Sequence, residues 1–332
     1  MNSYQSTYVS VILTSFREYH YLDAILKDLS NQSYPENILE ILILDAGNYS
    51  EKRVKQNLKQ KARLLRYWRI PGLSRTESLN LLVRESKGDL VVRLDVRSHI
   101  SSDYLERIVE QSLITEATNV GGVKLPVGNS KVQKIIAKSM GHPLCFGGGK
   151  FRNLNYKGFA ETVYLGAFNR KKMPPEPWFD ENHPKISEDS DLNFRIIKSG
   201  GNIFIDSDIR VKYFCRETLL EFFILCYNYG VGRGLFAIKH SHFSAWRQMV
   251  LPLSFFILTL LFGFGFFDYR LHIIFFFGIL SYLGIIGGVT LNLSRYNWRA
   301  WGLLLISFIG CHFFWTVGFF NSIRIYKKGV LN

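Results

Sequence analysis

The sequence predicts a mostly parallel α/β domain followed by a helical region that crosses a membrane. Three observations lead there. Short apolar, β-branched runs (Tyr8–Thr14, Leu39–Leu44, Leu90–Leu94) alternate with stretches whose apolar residues recur at helical spacing. Such alternation argues for a sheet of mostly parallel strands covered on both faces. Two of the runs end in an aspartate, Asp45 and Asp95. After Met249 charge almost vanishes until Arg324, and most of the apolar content collects there.

Tyr8–Thr14 reads as the first strand. A helix from about Tyr21 to Asn31 follows, with Leu22, Ile25, Leu26 and Leu29 on one side. Leu39–Leu44 is a second buried strand running into Asp45-Ala46-Gly47, and Ala62–Ile70 is a candidate third. Pro71-Gly72 breaks the chain. Thr76–Ser86 is helical with Leu79, Leu82 and Val83 facing inward, and Leu90–Leu94 is the next strand, ending in Asp95. Asn202–Ile205 reads as another. In open α/β sheets ligands bind beyond the carboxyl ends of the strands. One aspartate there is an ordinary turn residue. Two, together with an acidic helix start further on, point to a nucleotide-using enzyme. Neither a GxGxxG run nor a GxxxxGK[ST] run occurs, which argues against a dinucleotide site and a P-loop.

That acidic helix start is Ser187-Glu188-Asp189-Ser190-Asp191-Leu192-Asn193-Phe194-Arg195. Ser187 suits an N-cap, Leu192 and Ile196 with Phe194 and Ile197 give an apolar side, and Gly200-Gly201 end the helix. Three carboxylates fall in its first turn. Two readings are open: acids favour any helix start, or one carboxylate is held ionised to take a proton from a hydroxyl. The glycine run Phe146–Arg152 reads equally as a surface loop or as backbone approaching a substrate. Pro174–Pro184 is a turn-rich loop with an exposed-looking Trp178-Phe179, placed to wall the site.

Four segments follow from composition: a catalytic domain over 1–217, an interfacial amphipathic segment over 218–248, about three transmembrane helices over 249–320, and a basic tail over 321–332. Leu219–Ile238 carries Tyr227, Tyr229, Gly230, Gly232 and Arg233, and reads as too polar and glycine-broken to span. Met249–Phe267, Leu271–Leu291 and Ala300–Phe320 are each near the ~20 residues that cross a bilayer. His312, inside the last, is expected in a hydrogen-bonded packing role. Lys239, His240 and Arg247 before the first span favour a cytoplasmic catalytic domain on a multi-pass cell (inner) membrane protein. Three spans would place Arg324, Lys327 and Lys328 outside, so a re-entrant segment is the open alternative. Met1–Tyr8 has no apolar signal-peptide core. Cys145, Cys215, Cys226 and Cys311 are scattered and read as reduced. The net charge of +14 suits nucleic acid, anionic lipid or phosphate-bearing substrates, and the apolar C-terminal third selects the membrane rather than nucleic acid.

With these residues placed, the chain resembles the family 2 inverting glycosyltransferases, and within them the membrane-anchored glucosyltransferases of succinoglycan-type exopolysaccharide synthesis. The resemblance rests on Thr14, Asp45, Pro71-Gly72 with Leu79-Asn80, Arg93-Leu94-Asp95, Asp103-Tyr104 and the Phe146–Arg152 run. It continues through Gly166-Ala167-Phe168, Phe179-Asp180-Glu181, Glu188-Asp189 with Leu192-Asn193-Phe194-Arg195, and Tyr229-Gly230-Val231-Gly232-Arg233. It implies a GT-A, Rossmann-like fold binding a nucleotide sugar. Thr14 and Asp45 would contact the nucleoside, Asp95 would stand by the diphosphate, and Asn80 and Arg97 would complete the donor side. Glu188, Arg233 and Trp178 would face the acceptor or its phosphate. Asp189 would be the general base, freeing an acceptor hydroxyl to attack the anomeric carbon opposite the departing nucleoside diphosphate, with inversion.

Two departures stand out. Many members place an aspartate where this chain has Arg97, in Asp95-Val96-Arg97-Ser98-His99. The resemblance then implies a divalent cation, Mg²⁺ or Mn²⁺, held by Asp95 with His99, or Arg97 as its cationic substitute. Relatives often carry two adjacent acids where Asp45-Ala46 stands. The QxxRW run of processive synthases is absent, which favours addition of one sugar. The expected reaction moves a hexose, glucose among the candidates, from a UDP-sugar to a polyprenyl-linked saccharide acceptor, beside other polysaccharide-pathway enzymes. The alternatives are a polyprenyl-phosphate glycosyltransferase or processive synthase, and a non-catalytic membrane-tethered sugar- or lipid-binding protein.

Overall fold

The computed structural model describes residues 7–59, 61–182, 187–241 and 246–330. The first half runs β1 (Val9–Ser15), α1 (Tyr19–Ser30), β2 (Leu39–Asp45), α2 (Glu51–Leu58), β3 (Leu64–Arg69), α3 (Arg75–Glu85), β4 (Leu90–Asp95), β5 (Ser98–His99), α4 (Tyr104–Thr115) and β6 (Asn119–Val127). It continues as α5 (Lys131–Gly141), α6 (Pro143–Phe146), β7 (Gly158–Phe159), β8 (Tyr164–Asn169), α7 (Glu188–Lys198) and β9 (Ile203–Phe214). Four helices close the chain: α8 (Leu219–His240), α9 (Val250–Phe264), α10 (Tyr269–Leu293) and α11 (Trp298–Val330).

The strands form one sheet in the order β3-β2-β1-β4-β8-β6-β9-β5, with β7 beside β9. From β3 to β4 all neighbours are parallel. Beyond β4 the direction alternates, because β8 joins β4 antiparallel and β6 joins β8 antiparallel. The parallel strands read as unbroken apolar runs because both faces are covered: Val9, Val11, Ile12, Leu13, Ile41, Leu42, Ile43 and Leu44 are all fully buried. Leu22, Ile25, Leu26 and Leu29 of α1 are fully buried too, as their spacing requires. Register fixes the functional edge. Thr14 lies opposite both Leu44 and Asp95, and Ser15 opposite Asp45, so the C-terminal ends of β1, β2 and β4 are level.

Two compact units are present. One ends at Leu125 and resumes over Gly149–Phe214; the other takes Pro126–Gly148 and the chain from Cys215 onward. In the second, α8 is a continuous helix of 22 residues, not the glycine-broken segment expected. Its glycines serve close approach. A Cβ on Gly230 would sit 1.9 Å from the Trp315 carbonyl oxygen, and one on Gly318 would sit 2.1 Å from that of Tyr227. The three apolar stretches expected to span fall on α9, α10 and α11. At 15 residues α9 is about 22 Å long, short of a ~30 Å hydrocarbon core. Two helices are long and apolar enough to cross a membrane, α10 and Trp298–Lys327 of α11. Only 11% of the most apolar window of α10 is buried, unlike the core helix of a globular unit. The expected tail is helical, since α11 continues through Val330. His312 packs as expected: Nε2 donates to the Leu144 carbonyl (2.7 Å), leaving Nδ1 to accept from the Tyr282 hydroxyl (2.9 Å). All four cysteines are buried free thiols.

Candidate active site

The level strand ends bring Thr14, Asp45 and Asp95 to one edge of the sheet. Asp45 is fully buried. Its Oδ2 accepts the Tyr49 N–H at 2.8 Å, while Oδ1 is buried with no partner among the described residues. An ionised or polar oxygen left this way is costly unless something donates to it. Thr14 is half-buried beside it.

Strand alternation puts Arg93 and Asp95 on the same face of β4. Arg93 Nη2 donates to Glu188 Oε1 at 2.6 Å and lies 3.6 Å from Asp95 Oδ1. Arg75, the first residue of α3, bridges the same two acids, with Nη2 2.5 Å from Asp95 and Nε 2.9 Å from Glu188. Arg93 and Glu188 are 6% and 5% exposed at the side chain, Arg75 38%. Burial alone would push both carboxyls up. Arg75 and Arg93 outweigh it and hold Asp95 and Glu188 below the ordinary carboxylate range.

The start of α7 differs from its expected form. Ser187 adopts the left-handed region (φ 80°) and its hydroxyl caps nothing. The three carboxylates of the first turn divide by environment. Glu188 is taken by the two arginines, and Asp191, fully buried, receives Arg195 Nε at 3.0 Å across one helical turn. Asp189 is half-buried, and its Oδ1 accepts the Ser190 N–H at 2.8 Å. No cation lies within ion-pair distance of it among the described residues. Asp189 is therefore the acid of this turn with no ion pair among the described residues.

Asp189 and Asp95 line one small pit of about 30 Å³, with Arg93, Asn119, Tyr164 and Asn193 around it. Asn119 donates to Asn193 (2.8 Å) and Asn193 to the Thr162 hydroxyl (2.9 Å), and the Asn119 side-chain amide oxygen has no partner among the described residues. Sequence reasoning missed Arg75, Asn119 and Lys124. Buried Lys124 holds its ammonium 3.5 Å from the ring centre of Tyr213 and 4.5 Å from that of Tyr164, and it adds to the field lowering Asp95. Its position on β6, far along the chain from Asp95, carries no local signal.

Four expected site residues of this unit have partners outside the pit. Asn80 is buried and spends its amide on the 179–181 loop, accepting from the Phe179 N–H (2.9 Å) and donating to the Phe179 carbonyl (2.7 Å) and Glu181 (2.8 Å). It clamps that loop. Trp178 and Phe179, expected on the surface, are 2% and 0% exposed and belong to the core, because the clamp folds the loop inward. Arg97 is buried against Glu18 (2.7 Å) and over the Tyr21 ring (4.3 Å), away from Asp95's partners. His99 Nδ1 is taken by Asp28 Oδ2 at 2.7 Å. Arg233 lies half-buried on α8 in the other compact unit.

These placements bear on a metal. The pit offers two carboxylates, Asp95, already bridged to Arg75, and Asp189, while His99 and Arg97 are turned to other acids. No cluster of three or more His, Cys, Asp or Glu suited to a metal occurs among the described residues.

Residues 10–173 match the model of glycosyl transferase family 2. The chain carries a family 2 glycosyltransferase domain. It is a glycosyltransferase enzyme. Over 252 residues it is 27% identical to the succinoglycan biosynthesis protein ExoA of Rhizobium meliloti, covering 75% of this chain and 76% of that one. Over 246 residues it is 24% identical to a dolichyl N-acetyl-alpha-D-glucosaminyl phosphate 3-beta-D-2,3-diacetamido-2,3-dideoxy-beta-D-glucuronosyltransferase of Methanococcus voltae, covering 71% and 76%. The fold is that of mannosyltransferase PcManGT from Pyrobaculum calidifontis, solved with GDP-Man and Mn²⁺ (TM-score 0.57, 16% identity, 92% of this chain and 86% of that one). The chain also superimposes on S. aureus TarS 1–349 in complex with UDP (TM-score 0.50, 13% identity, 97% and 91%). Its sheet, parallel from β3 to β4 with antiparallel additions, is the GT-A arrangement.

Proposed function

We propose that this glycosyltransferase moves a hexose from a UDP-sugar to a lipid-linked saccharide acceptor in exopolysaccharide or cell-surface glycan synthesis. The observation that carries the proposal is the sharing of one pit by Asp95 and Asp189, with Asp189 the acid of its turn that has no cation within ion-pair distance among the described residues. Asp189 acts as general base on an acceptor hydroxyl, which attacks the anomeric carbon in a single inverting displacement. Asp45, with its orphaned Oδ1, and Thr14 suit the nucleoside end. Arg75 and Arg93 supply positive charge beside Asp95, where the diphosphate departs. No step is routed through a metal. A succinoglycan-synthesis relative and a relative named for a dolichyl-linked phosphate substrate support a lipid-linked acceptor. The two membrane-length helices support anchoring at a membrane, and the basic residues Lys239, His240 and Arg247 before the apolar stretches favour the catalytic unit on the cytoplasmic side.

The test is turnover of UDP-hexoses by detergent-solubilised protein with a lipid-linked acceptor fraction, with and without Mg²⁺ or Mn²⁺ after EDTA. Sugar on a lipid-linked saccharide supports the reading. Sugar on bare polyprenyl phosphate, or a growing polymer, replaces it with the corresponding relative of the same class. No turnover of any nucleotide sugar by folded protein overturns it.

A further inference from the structure

The helical unit holds a second cavity that the transfer reaction does not use. It measures about 330 Å³, the space of about ten waters. Lys138, Gly141 and His142 of the α5 end line one side, and Asn292, Leu293 and Arg295 of the α10–α11 turn line the other. No carboxylate lines it. The sequence has no Asp or Glu over 126–148 and none after Asp268. Lys131, Lys134 and Lys138 are all exposed and share one face of α5 by their spacing of three and four. Lys138 Nζ gives one hydrogen bond to the Leu293 carbonyl at the end of α10 (3.2 Å), which leaves two donors. The Arg295 guanidinium has no protein partner among the described residues. Arg295 and Tyr296 both hold left-handed backbone (φ 53° and 61°), which turns the chain sharply between two membrane-length helices. Tyr296 and Trp298 are 77% and 72% exposed at this turn, as aromatics are at headgroup depth.

We propose that this groove binds the phosphate of an anionic lipid headgroup, held by Lys138 and Arg295 with the Asn292 amide. Cations, aromatic rings and a cavity without acids coincide at the end of two bilayer-length helices, which is the depth at which lipid phosphate lies. The groove shares no lining residue with the Asp95–Asp189 pit, and its test does not read turnover.

The full chain is purified in detergent and offered equimolar phosphatidylglycerol and phosphatidylcholine, and retained lipid is counted by native mass spectrometry. Wild type is expected to retain phosphatidylglycerol preferentially. The double variant Lys138→Gln, Arg295→Gln should retain roughly 30-fold less, while Lys138→Arg, Arg295→Lys restores it. Competition distinguishes the sources of the phosphate. Excess inorganic phosphate should displace nothing. Displacement of phosphatidylglycerol by polyprenyl phosphate supports the site and names that lipid as its occupant. Equal retention by wild type and the Gln variant, equal retention of the two lipids, or release by inorganic phosphate alone overturns the proposal.

Discussion

Replacing Glu188 by Gln separates two accounts of the acidic helix start. The sequence placed Glu188 on the acceptor side, whereas the structure has it 5% exposed between Arg93 (2.6 Å) and Arg75 (2.9 Å). Breaking a buried ion pair from one side costs about 3–5 kcal/mol, because the other charge stays buried. Here Asp95 remains near both arginines, at 3.6 and 2.5 Å, and softens the loss. The expected cost is therefore about 2–3 kcal/mol, at the low end or below. For a unit of this size that lowers the thermal midpoint by about 4–12 °C. The pH dependence has a definite sign. Glu188 is held below its ordinary value of 4.5, so its contribution is full above that pH and is lost as pH falls through the folded value. The gap between wild type and Glu188→Gln should thus be full at pH 7 and close under acid below about 4.5. Thermal unfolding followed by circular dichroism at both pH values, with acceptor KM measured alongside, is the assay. An unchanged midpoint with a raised acceptor KM would refute the ion-pair account and return Glu188 to the acceptor.

Asp189→Asn should lower kcat by about 10²–10⁴-fold, the usual worth of a positioned general base, with UDP affinity by calorimetry within about threefold of wild type. Asn80→Ala removes three hydrogen bonds that fold the 179–181 loop inward. It should cost about 1–3 kcal/mol and expose the loop to limited proteolysis, with a red shift in tryptophan emission as Trp178 meets water. Gly230→Ala forces a Cβ against the Trp315 carbonyl, so α8 must move off α11; the loss of about 1–3 kcal/mol should appear as a lower midpoint in detergent.

What the sequence could disclose was local. Apolar runs of β1, β2 and β4 and the spacing in α1 mark their own elements, because buried strands and amphipathic helices are written in consecutive residues. The same holds for Asp45 and Asp95 at strand ends, and for the acids of α7. Side-chain partnership was not local. Nothing near Trp178 in sequence shows that Asn80, a hundred residues earlier, will fold its loop into the core. Nothing near Asp95 announces Arg75 or Lys124. The glycines of α8 misled for a related reason. A glycine in a lone helix weakens it, but a glycine facing another backbone permits contact, and the two cases share one sequence. The apolar stretch after Met249 was legible as composition, while its first helix, cut to 15 residues, was not.

Arg97 is where the pattern of the family and the geometry of this chain diverge most, and it admits a direct test. Standing where relatives carry an acid, it invites the role of cation for the departing diphosphate. In the structure its Nε is 2.7 Å from Glu18, its guanidinium lies over the Tyr21 ring, and its side chain is 9% exposed. A guanidinium held this way would have to break a buried charge-assisted hydrogen bond and a ring contact before reaching any ligand. Its worth is in joining α1 to the strand end at β5. Arg97→Met should therefore cost about 3–5 kcal/mol of stability, the sum of a charged hydrogen bond and a desolvated cation–π contact. Donor KM and the response to EDTA should stay as in wild type. Arg75→Met, by contrast, removes the partially exposed cation that touches Asp95 and should raise donor KM. A tenfold rise in donor KM for Arg97→Met at unchanged midpoint would show that Arg97 leaves Glu18 to meet the diphosphate, and the assignment of that charge to Arg75 and Arg93 would fall.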